Sequence, residues 1–558
     1  MKKKGIHKWL GVMMAVALVF GLAACSGSDK SANNTPAPAN EGTNNKNAEE
    51  ALDYTFGEGE TFHSNEPVTY SMMYSDHENY PYNENWRFWS AVKERTNVDF
   101  DLSITARTEY ENQKSLLVNS GDAPYIIPKT YEEAAFVAGG QIVPISDWVQ
   151  YMPNYMKAVK DWGLEEDLKV KLQADGKYYV LPGLWEVSGG GYSYIIRKDI
   201  FEAAGIDVEA EEGKWTYEDF YAALKKVKEF TGKDNIFSDE FKGESTLNIA
   251  GVAYGVTGGW GKANGMKFDH EKNQFFFADA SEDFKAYVTY FNKLINEKIM
   301  DPESFTQEDD AAQAKFFKGD SYVMNGNYQL MADFQTKMED PNAELYMIVQ
   351  PGGPKGMLQM ETSRLENGVM ISQNALKDLG EEKFIKMLRF VDWLWYSDEG
   401  QTLSLWGVEG ETYTKDAEGN FVLDPDISYN GMNPTATKKL NVDFGFGNGM
   451  FAYGGSSKLK LSKMTPGERD YNDRIFATRE ARKIDPPIMA TTDQAEQLNL
   501  IQTPLMDFVS TMTLKFITGQ EPLSNWDNYV ATVEANGSSR YAQMANEIFE
   551  STKSLLGY

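Results

Sequence analysis

Cysteine is nearly absent: the 558-residue chain holds one, Cys25. A lone thiol excludes an intramolecular disulfide framework, so the fold must be held by packing alone. Histidine is almost as scarce. Of four in the chain, His63, His77 and His270 lie scattered beyond the first segment, and no His/Cys cluster has the spacing of a zinc site. Positive charge is in deficit, with 54 Lys and Arg against 83 Asp and Glu and a formal net charge of −29. That balance disfavours nucleic acid, which is bound through basic patches, and electrostatic capture of a strongly polyanionic glycan. No nucleophile elbow, metal motif or P-loop is present, and no internal repeat. The longest apolar run, Trp9 to Ala24, is shorter than the roughly 20 residues that span a bilayer.

That run has a different reading. Lys2, Lys3, Lys4 and Lys8 precede it, and small residues close it, the pattern of a secretory signal. Leu22-Ala23-Ala24-Cys25 then matches the bacterial lipobox, so residues 1–24 read as a lipoprotein signal peptide and Cys25 as the lipid-bearing new N-terminus. Catalysis by Cys25 is disfavoured because no histidine lies near it and it precedes any folded region. Residues 25–53 are rich in Ser, Asn, Pro and Gly without apolar periodicity, the composition of a flexible tether. The expected location is the extracellular face of the cell membrane, held by the N-terminal lipid alone.

About 500 folded residues exceed one core, so two or more lobes are expected. "VTYSMMY" (68–74) reads as a buried strand and 86–95 as a helix. "VDFDLSI" alternates as a second strand, "EYENQKSLLVNSG" is a helix closed by Gly121, and "YIIP" is a third strand. Strand, helix, strand, helix, strand implies a parallel α/β sheet, whose ligands bind at the carboxyl ends of its strands. This puts the loop from Ser75 to Asn85, with Asp76 and His77, at the mouth of a site. Gly189 to Gly191, between Trp185 and Tyr192, suit a crossing between lobes.

Several segments together resemble the extracellular solute-binding proteins of family 1, the receptors of carbohydrate ABC importers, in their long lipoprotein branch. They are "DGKYYVLPG", "IIRKDIFEAAGI", "WTYEDF", "DPESF", "AAQAKFFKGDSYVMNGN", "GVMISQNALKDLGEEKFIKMLRFVDWLWYSDEGQ", "WGVEGETY" and "KFITGQEPLSNWDNYV". Their order, more than any one of them, carries the resemblance. It implies an α/β, two-lobe periplasmic-binding-protein-like fold with hinge crossovers and an inter-lobe cleft. On this basis 54–186 is the first part of lobe 1, 187–366 the main part of lobe 2, 367–415 the return to lobe 1, and 416–558 a C-terminal region shared between the lobes.

The resemblance further implies an oligosaccharide ligand, ABC importer permease subunits as partners, a monomeric chain and no enzymatic activity. The competing readings are a receptor for peptide, a sugar sensor for a signalling partner, and a secreted glycosidase, which would need a carboxylate pair. Some long-branch members carry a calcium loop where this chain reads "TGKDNIFSDE". Here the leading acidic residues are lost, and Asp234, Asn235, Asp239 and Glu240 remain for an ion that takes six to eight oxygens. No other cofactor is expected.

Sugars offer apolar ring faces to aromatic side chains and hydroxyls to polar ones, within a cleft. Trp260, in the glycine-rich "GVTGGWGKANG", is the leading stacking candidate, joined by Trp185, Tyr192, Trp406 and Tyr413. Asp76, His77, Asn325, Asn327, Arg364, Glu366 and Asn367 are the polar candidates. "FVDWLWY" (390–396) has helical spacing and reads as a core stripe. Cys25→Ser, or globomycin treatment, is expected to leave an unprocessed precursor that takes up no labelled palmitate, measured by gel mobility and autoradiography. A mature-sized, labelled Cys25→Ser protein would refute the lipobox reading.

Overall fold

Apolar alternation gives way to helical spacing along the chain, and the computed structural model follows those changes. It describes residues 52–558 apart from 78, 79, 132 and 263. The expected signal peptide, Cys25 and the expected tether up to residue 51 lie outside the described residues. Strand β1 (Val68–Asp76), helix α1 (Arg87–Thr96), β2 (Val98–Ala106), α2 (Tyr110–Ser120), β3 (Ile126–Thr130) and β4 (Val180–Leu184) come first. Next are β5 (Ser193–Arg197), α3 (Tyr217–Thr231), α4 (Glu244–Tyr254), α5 (Glu282–Asn296), β6 (Val323–Gly326), β7 (Leu345–Met347) and β8 (Leu365–Ile371). Helix α6 (Gln373–Tyr396), α7 (Ser457–Ser462) and α8 (Pro466–Thr478) follow. Three helices end the chain: α9 (Thr492–Ile517), α10 (Trp526–Ala535) and α11 (Ser538–Leu556).

The first sheet has the order β2-β1-β3-β8-β4. β1 runs parallel to β2 from Val68↔Val98 to Asp76↔Ala106 and parallel to β3, as the strand–helix–strand pattern requires. β8 enters antiparallel to both β3 and β4, so the sheet is mixed rather than wholly parallel. The reason is connectivity: β8 returns from the second lobe, whereas β1 to β3 are joined by local helical crossovers. The second sheet is small, β6-β5-β7, with both neighbours antiparallel to β5.

Each sheet has its own core. One gathers Tyr70, Met72, Trp86, Phe88, Leu184, Phe390, Trp393, Trp395 and Phe451; the other gathers Tyr194, Phe220, Tyr287, Phe291, Phe516, Trp526 and Phe549. The 390–396 stripe is buried, as its spacing predicts. After β8, residues up to Leu459 pack in the first core and those from Met489 onward in the second. The chain therefore crosses between lobes three times: at 185–192, at 348–364 and through α7 and α8. The first crossing leaves the end of β4 and enters β5; the second leaves the end of β7 and enters β8. The sheet edges where those strands meet the crossings therefore face each other across the inter-lobe region.

Gly190 shows what the glycine run is for. A Cβ there would lie 3.0 Å from both the Tyr471 ring and the Asn472 amide, so the run lets the first crossover pass close beneath α8.

Both cores hold a buried carboxylate. Asp392 accepts hydrogen bonds from the Asn154 and Tyr155 backbone N–H groups and from Asn154 Nδ2, and burial pushes its pKa up to about 7. Asp279 accepts from Thr257 Oγ1 and is pushed up to about 8, again by burial. A folded-state pKa above the unfolded value means the native protein binds more protons between about pH 4 and pH 8. Stability from these groups is complete below that window and is lost as the pH rises through it. The melting temperature is expected to be higher at pH 5.5 than at pH 8, and Asp279→Asn to flatten part of that difference. Equal slopes in wild type and a folded Asp279→Asn protein would contradict the assignment.

Candidate functional site

On the edge of the small sheet, an aromatic wall is built from three separate segments. Tyr192 precedes β5, Phe241 precedes α4, and Trp260 follows α4. Their ring centroids are 5.2 Å apart for Tyr192–Trp260, 5.1 Å for Phe241–Trp260 and 6.3 Å for Tyr192–Phe241. Trp260 remains 48% exposed despite these contacts, an unusual exposure for a large aromatic held by two others. The loop that carries it is pressed onto the first turn of α4. A Cβ on Gly259, whose φ is +50°, would fall 1.8 Å from the Glu244 carbonyl oxygen, and one on Gly261 would fall 2.1 Å from Asn248 Oδ1. The glycines around Trp260 are thus required by close approach, and they hold the indole outward.

Asn325 and Asn327 share one face of the β6 ladder and its extension, with Asn325 opposite Tyr194. Asn327 caps the next helix by accepting from the Leu330 N–H, and its side chain also meets the Tyr192 hydroxyl. Asn325 is fully buried; its backbone N–H donates to Asp239 Oδ1 at 3.2 Å. Burial pushes Asp239 up to about 7, and burial followed by the charge of Asp239 does the same to Glu240.

The facing edge of the large sheet is more polar. Asp76 ends β1 and accepts from the Tyr82 N–H at 2.8 Å, and the His77 ring stacks on Tyr80 at 4.5 Å. Lys129, near the end of β3, has a left-handed φ of +58° and donates through Nζ to Tyr80 Oη at 2.7 Å. Its pKa is pushed down to about 8, first by burial and then by Arg107. Tyr131, just past β3, is 56% exposed, and burial together with the nearby Glu366 and Glu111 carboxylates raises its pKa. Asn367 in β8 is buried, and Glu366 beside it is exposed.

The sequence model of the bacterial extracellular solute-binding proteins matches residues 87–402. The chain belongs to that family. A curated relative, an uncharacterized protein in the butB 5′ region of Niallia circulans, is 23% identical over 281 residues, 48% of this chain and 99% of its own length. Among solved structures, an extracellular solute-binding protein from Bifidobacterium longum subsp. infantis aligns at a TM-score of 0.67 and 16% identity, covering 87% of this chain and 98% of its own. The S. pneumoniae ABC-transporter substrate-binding protein FusA, in complex with kestose, aligns at 0.62 and 16%, covering 87% and 99%. These likenesses establish the two-lobe fold of this solute-binding protein. Its family consists of extracellular binding proteins, not enzymes.

In this solute-binding protein several expected ligand contacts have other occupations. Trp406 is 1% exposed, stacks on Phe421 at 5.1 Å and donates to Ser462 Oγ; Tyr413 packs beside it in the same core. Neither offers a face to a ligand. Trp185 is buried, and both Lys460 and Lys463 lie over its ring at 4.7 and 5.2 Å while its Nε1 donates to Glu366 Oε2 at 2.7 Å. It is a fastening between crossovers rather than a stacking surface.

The Arg364 guanidinium is consumed by Asp167 and by the carbonyls of Trp162 and Gly163. The calcium set does not come together either. Asp234 is paired with Lys228 and Lys298, whereas Asp239 is bound into the β6 region, and no metal-holding acidic or histidine group forms among the described residues. Sequence reasoning missed Tyr131, Lys129 and Phe241. Tyr131 had a signal, an aromatic just past a strand at the same edge as Asp76; Phe241 had none.

Arg364→Ala would strand a largely buried Asp167 carboxylate and two carbonyls. A stability loss of about 2–3 kcal/mol is expected in urea unfolding. A loss below about 0.5 kcal/mol would return Arg364 to the cleft.

Proposed function

We propose that the protein is a lipid-anchored extracellular receptor that closes its two lobes on an oligosaccharide and delivers it to a membrane ABC importer. The observation that carries the reading is Trp260, an exposed indole braced by Tyr192 and Phe241 at a sheet edge that faces the other lobe. An aromatic held in this way is suited to the apolar face of a sugar ring. The opposite edge supplies hydrogen-bonding groups, the Tyr131 hydroxyl and the Glu366 carboxylate, suited to ring hydroxyls. Contacts from both edges would favour the closed arrangement, since a ligand shifts such an equilibrium only through contacts that differ between states. The kestose complex of FusA, of the same fold, is consistent with a saccharide ligand. Cys25 would supply the anchor, and the acidic chain needs no basic surface for such a ligand.

The test is calorimetry against kestose and trisaccharides of glucose, xylose, arabinose, galactose and mannose, alongside a panel of short peptides. Saccharide binding without product formation is expected. Binding confined to peptides would overturn the sugar reading, and turnover would overturn the receptor reading. Trp260→Ala is expected to weaken the bound saccharide by about 1–3 kcal/mol, the scale of aromatic stacking on a planar ring, with little change in melting temperature. Unchanged affinity would make Trp260 a surface residue only.

A further inference from the structure

A second hollow, of about 540 Å³, lies in the same lobe as Trp260 but at the other end of α4. The Trp260 loop sits on the first turn of that helix and the hollow at its last residue, Tyr254, about 15 Å further along the axis. Its volume falls within the range of about 300–1,000 Å³ that holds small molecules. The start of α3, the end of α4 and the side of α5 border it, and Gly353 and Pro354 of the second crossing close it. That crossing is fastened to all three helices. The Tyr217 N–H donates to the Gly352 carbonyl at 2.9 Å, the Lys355 N–H donates to the Ala253 carbonyl at 3.1 Å, and Lys355 Nζ pairs with Asp283 at 2.6 Å. The walls are thus tied together without help from a ligand.

Tyr217, Tyr254 and Tyr290 line the hollow, with ring centroids 5.1 to 6.3 Å apart. Three of the hydroxyls around it are already used. Tyr217 Oη meets Tyr194 Oη at 3.0 Å, Thr216 Oγ1 donates to Asp219, and Thr289 Oγ1 donates to the Lys285 carbonyl. The other two are not. Tyr290, 3% exposed, has a buried hydroxyl with no hydrogen-bond partner among the described residues. No described residue bonds the Tyr254 hydroxyl either; burial and then the Glu218 charge act on it, and both raise its pKa. Burial raises Tyr290 likewise, so both phenols keep their protons and each offers a donor and an acceptor. An unbonded buried hydroxyl costs stability, and two at one hollow point to a polar occupant.

The rim is charged but balanced. Lys293 pairs with Glu218 at 3.3 Å and covers the Tyr221 ring at 3.4 Å, while Lys285 stands 3.9 Å from Glu282. A charged ligand must break one of these pairs or stay uncompensated, and an apolar one leaves both phenols unbonded. A neutral ring with adjacent hydroxyls avoids both costs. We propose that this hollow is a second ligand site, separate from the Trp260 wall, which takes a neutral polyhydroxylated ring of monosaccharide size through the hydroxyls of Tyr254 and Tyr290. It goes beyond the receptor reading and does not depend on it.

The test is calorimetry on the Trp260→Ala protein, whose cleft is impaired on the receptor reading. The probes are glucose, galactose, mannose, xylose and myo-inositol, with glucosamine and glucuronate as charged counterparts. At least one neutral ring is expected to bind one to one, and at least tenfold more tightly than either charged probe. Adding Tyr254→Phe is expected to weaken that binding at least tenfold, and Tyr290→Phe to weaken it without lowering the melting temperature. Refusal of every neutral ring, which would leave the hollow to water, overturns the inference. Preference for a charged probe, or unchanged affinity in a folded Tyr254→Phe protein, does the same. A lower melting temperature in Tyr290→Phe would mean that its hydroxyl is already satisfied, which also overturns it. If wild type binds a trisaccharide while Trp260→Ala binds no monosaccharide, this site alone is lost. If wild type refuses every trisaccharide while the monosaccharide still binds, the receptor reading alone is lost.

Discussion

Trp185 fastens the three crossings between the lobes at a single indole. Its N–H donates to Glu366 at the start of β8, its backbone N–H donates to the Arg364 carbonyl, and its ring lies under Lys460 and Lys463 of the third crossing. Two further bonds tighten the same point: the Ser457 N–H to Glu186 Oε2 at 2.6 Å and Lys460 Nζ to the Val187 carbonyl at 2.9 Å. A cation over an indole is worth about 2 kcal/mol when desolvated. Lys460 is desolvated enough that burial, with Lys463 beside it, pushes its pKa down to about 8. Rotation of one lobe against the other must be absorbed around this cluster, because each of the three chain segments that could bend is attached to it. The cluster also fixes where Glu366 stands, and so ties the hinge to the polar edge of the cleft.

The two edges are chemically unequal. The small-sheet edge is aromatic above and polar below, with acids whose pKa values burial has raised towards neutrality. The large-sheet edge is charged and partly solvated, with Lys129 bonded to Tyr80 and Tyr131 lying near Glu366. An amphipathic ring has an apolar face and a polar rim, and on the proposed reading such an arrangement would grip the face from one lobe and the rim from the other. On the proposed reading a ligand is reached from both edges, so affinity would depend on the distance between lobes that the Trp185 cluster governs.

The alternating strands, the helical stripe at 390–396 and the glycine-bracketed Trp260 were all legible in the sequence because each is a local pattern. β8 was legible as a strand, but its antiparallel direction followed from a return through another lobe. The candidate residues whose side chains the fold engages elsewhere share one property, a partner brought from another segment. Arg364 meets Asp167 across 197 positions and Trp185 meets Glu366 across 181. Trp406 lies in a Gly-containing stretch, and its neighbour Phe421 arrives from a later hairpin to cover it. Composition near a residue cannot report a partner that only the fold delivers. The acids of the incomplete calcium loop part in the same way, since Asp239 is claimed by β6 and Asp234 by lysines of two different segments.

A chain without disulfides carries these liabilities only because its cores are large and aromatic. Tyr194 stacks on Phe220 at 5.1 Å and meets Phe237 at 5.6 Å, so β5 is wedged between rings. Tyr287 donates to the Leu247 carbonyl of α4 at 3.0 Å and thereby fixes the helix whose first turn bears the seat of the Trp260 loop. Left-handed residues such as Phe241 and Lys242, with φ of 55° and 53°, survive where the surrounding packing leaves the backbone no lower-energy alternative. The rigidity of the second core therefore holds the Trp260 loop in place, and a ligand that meets an aromatic already positioned would spend little of its binding energy on ordering it.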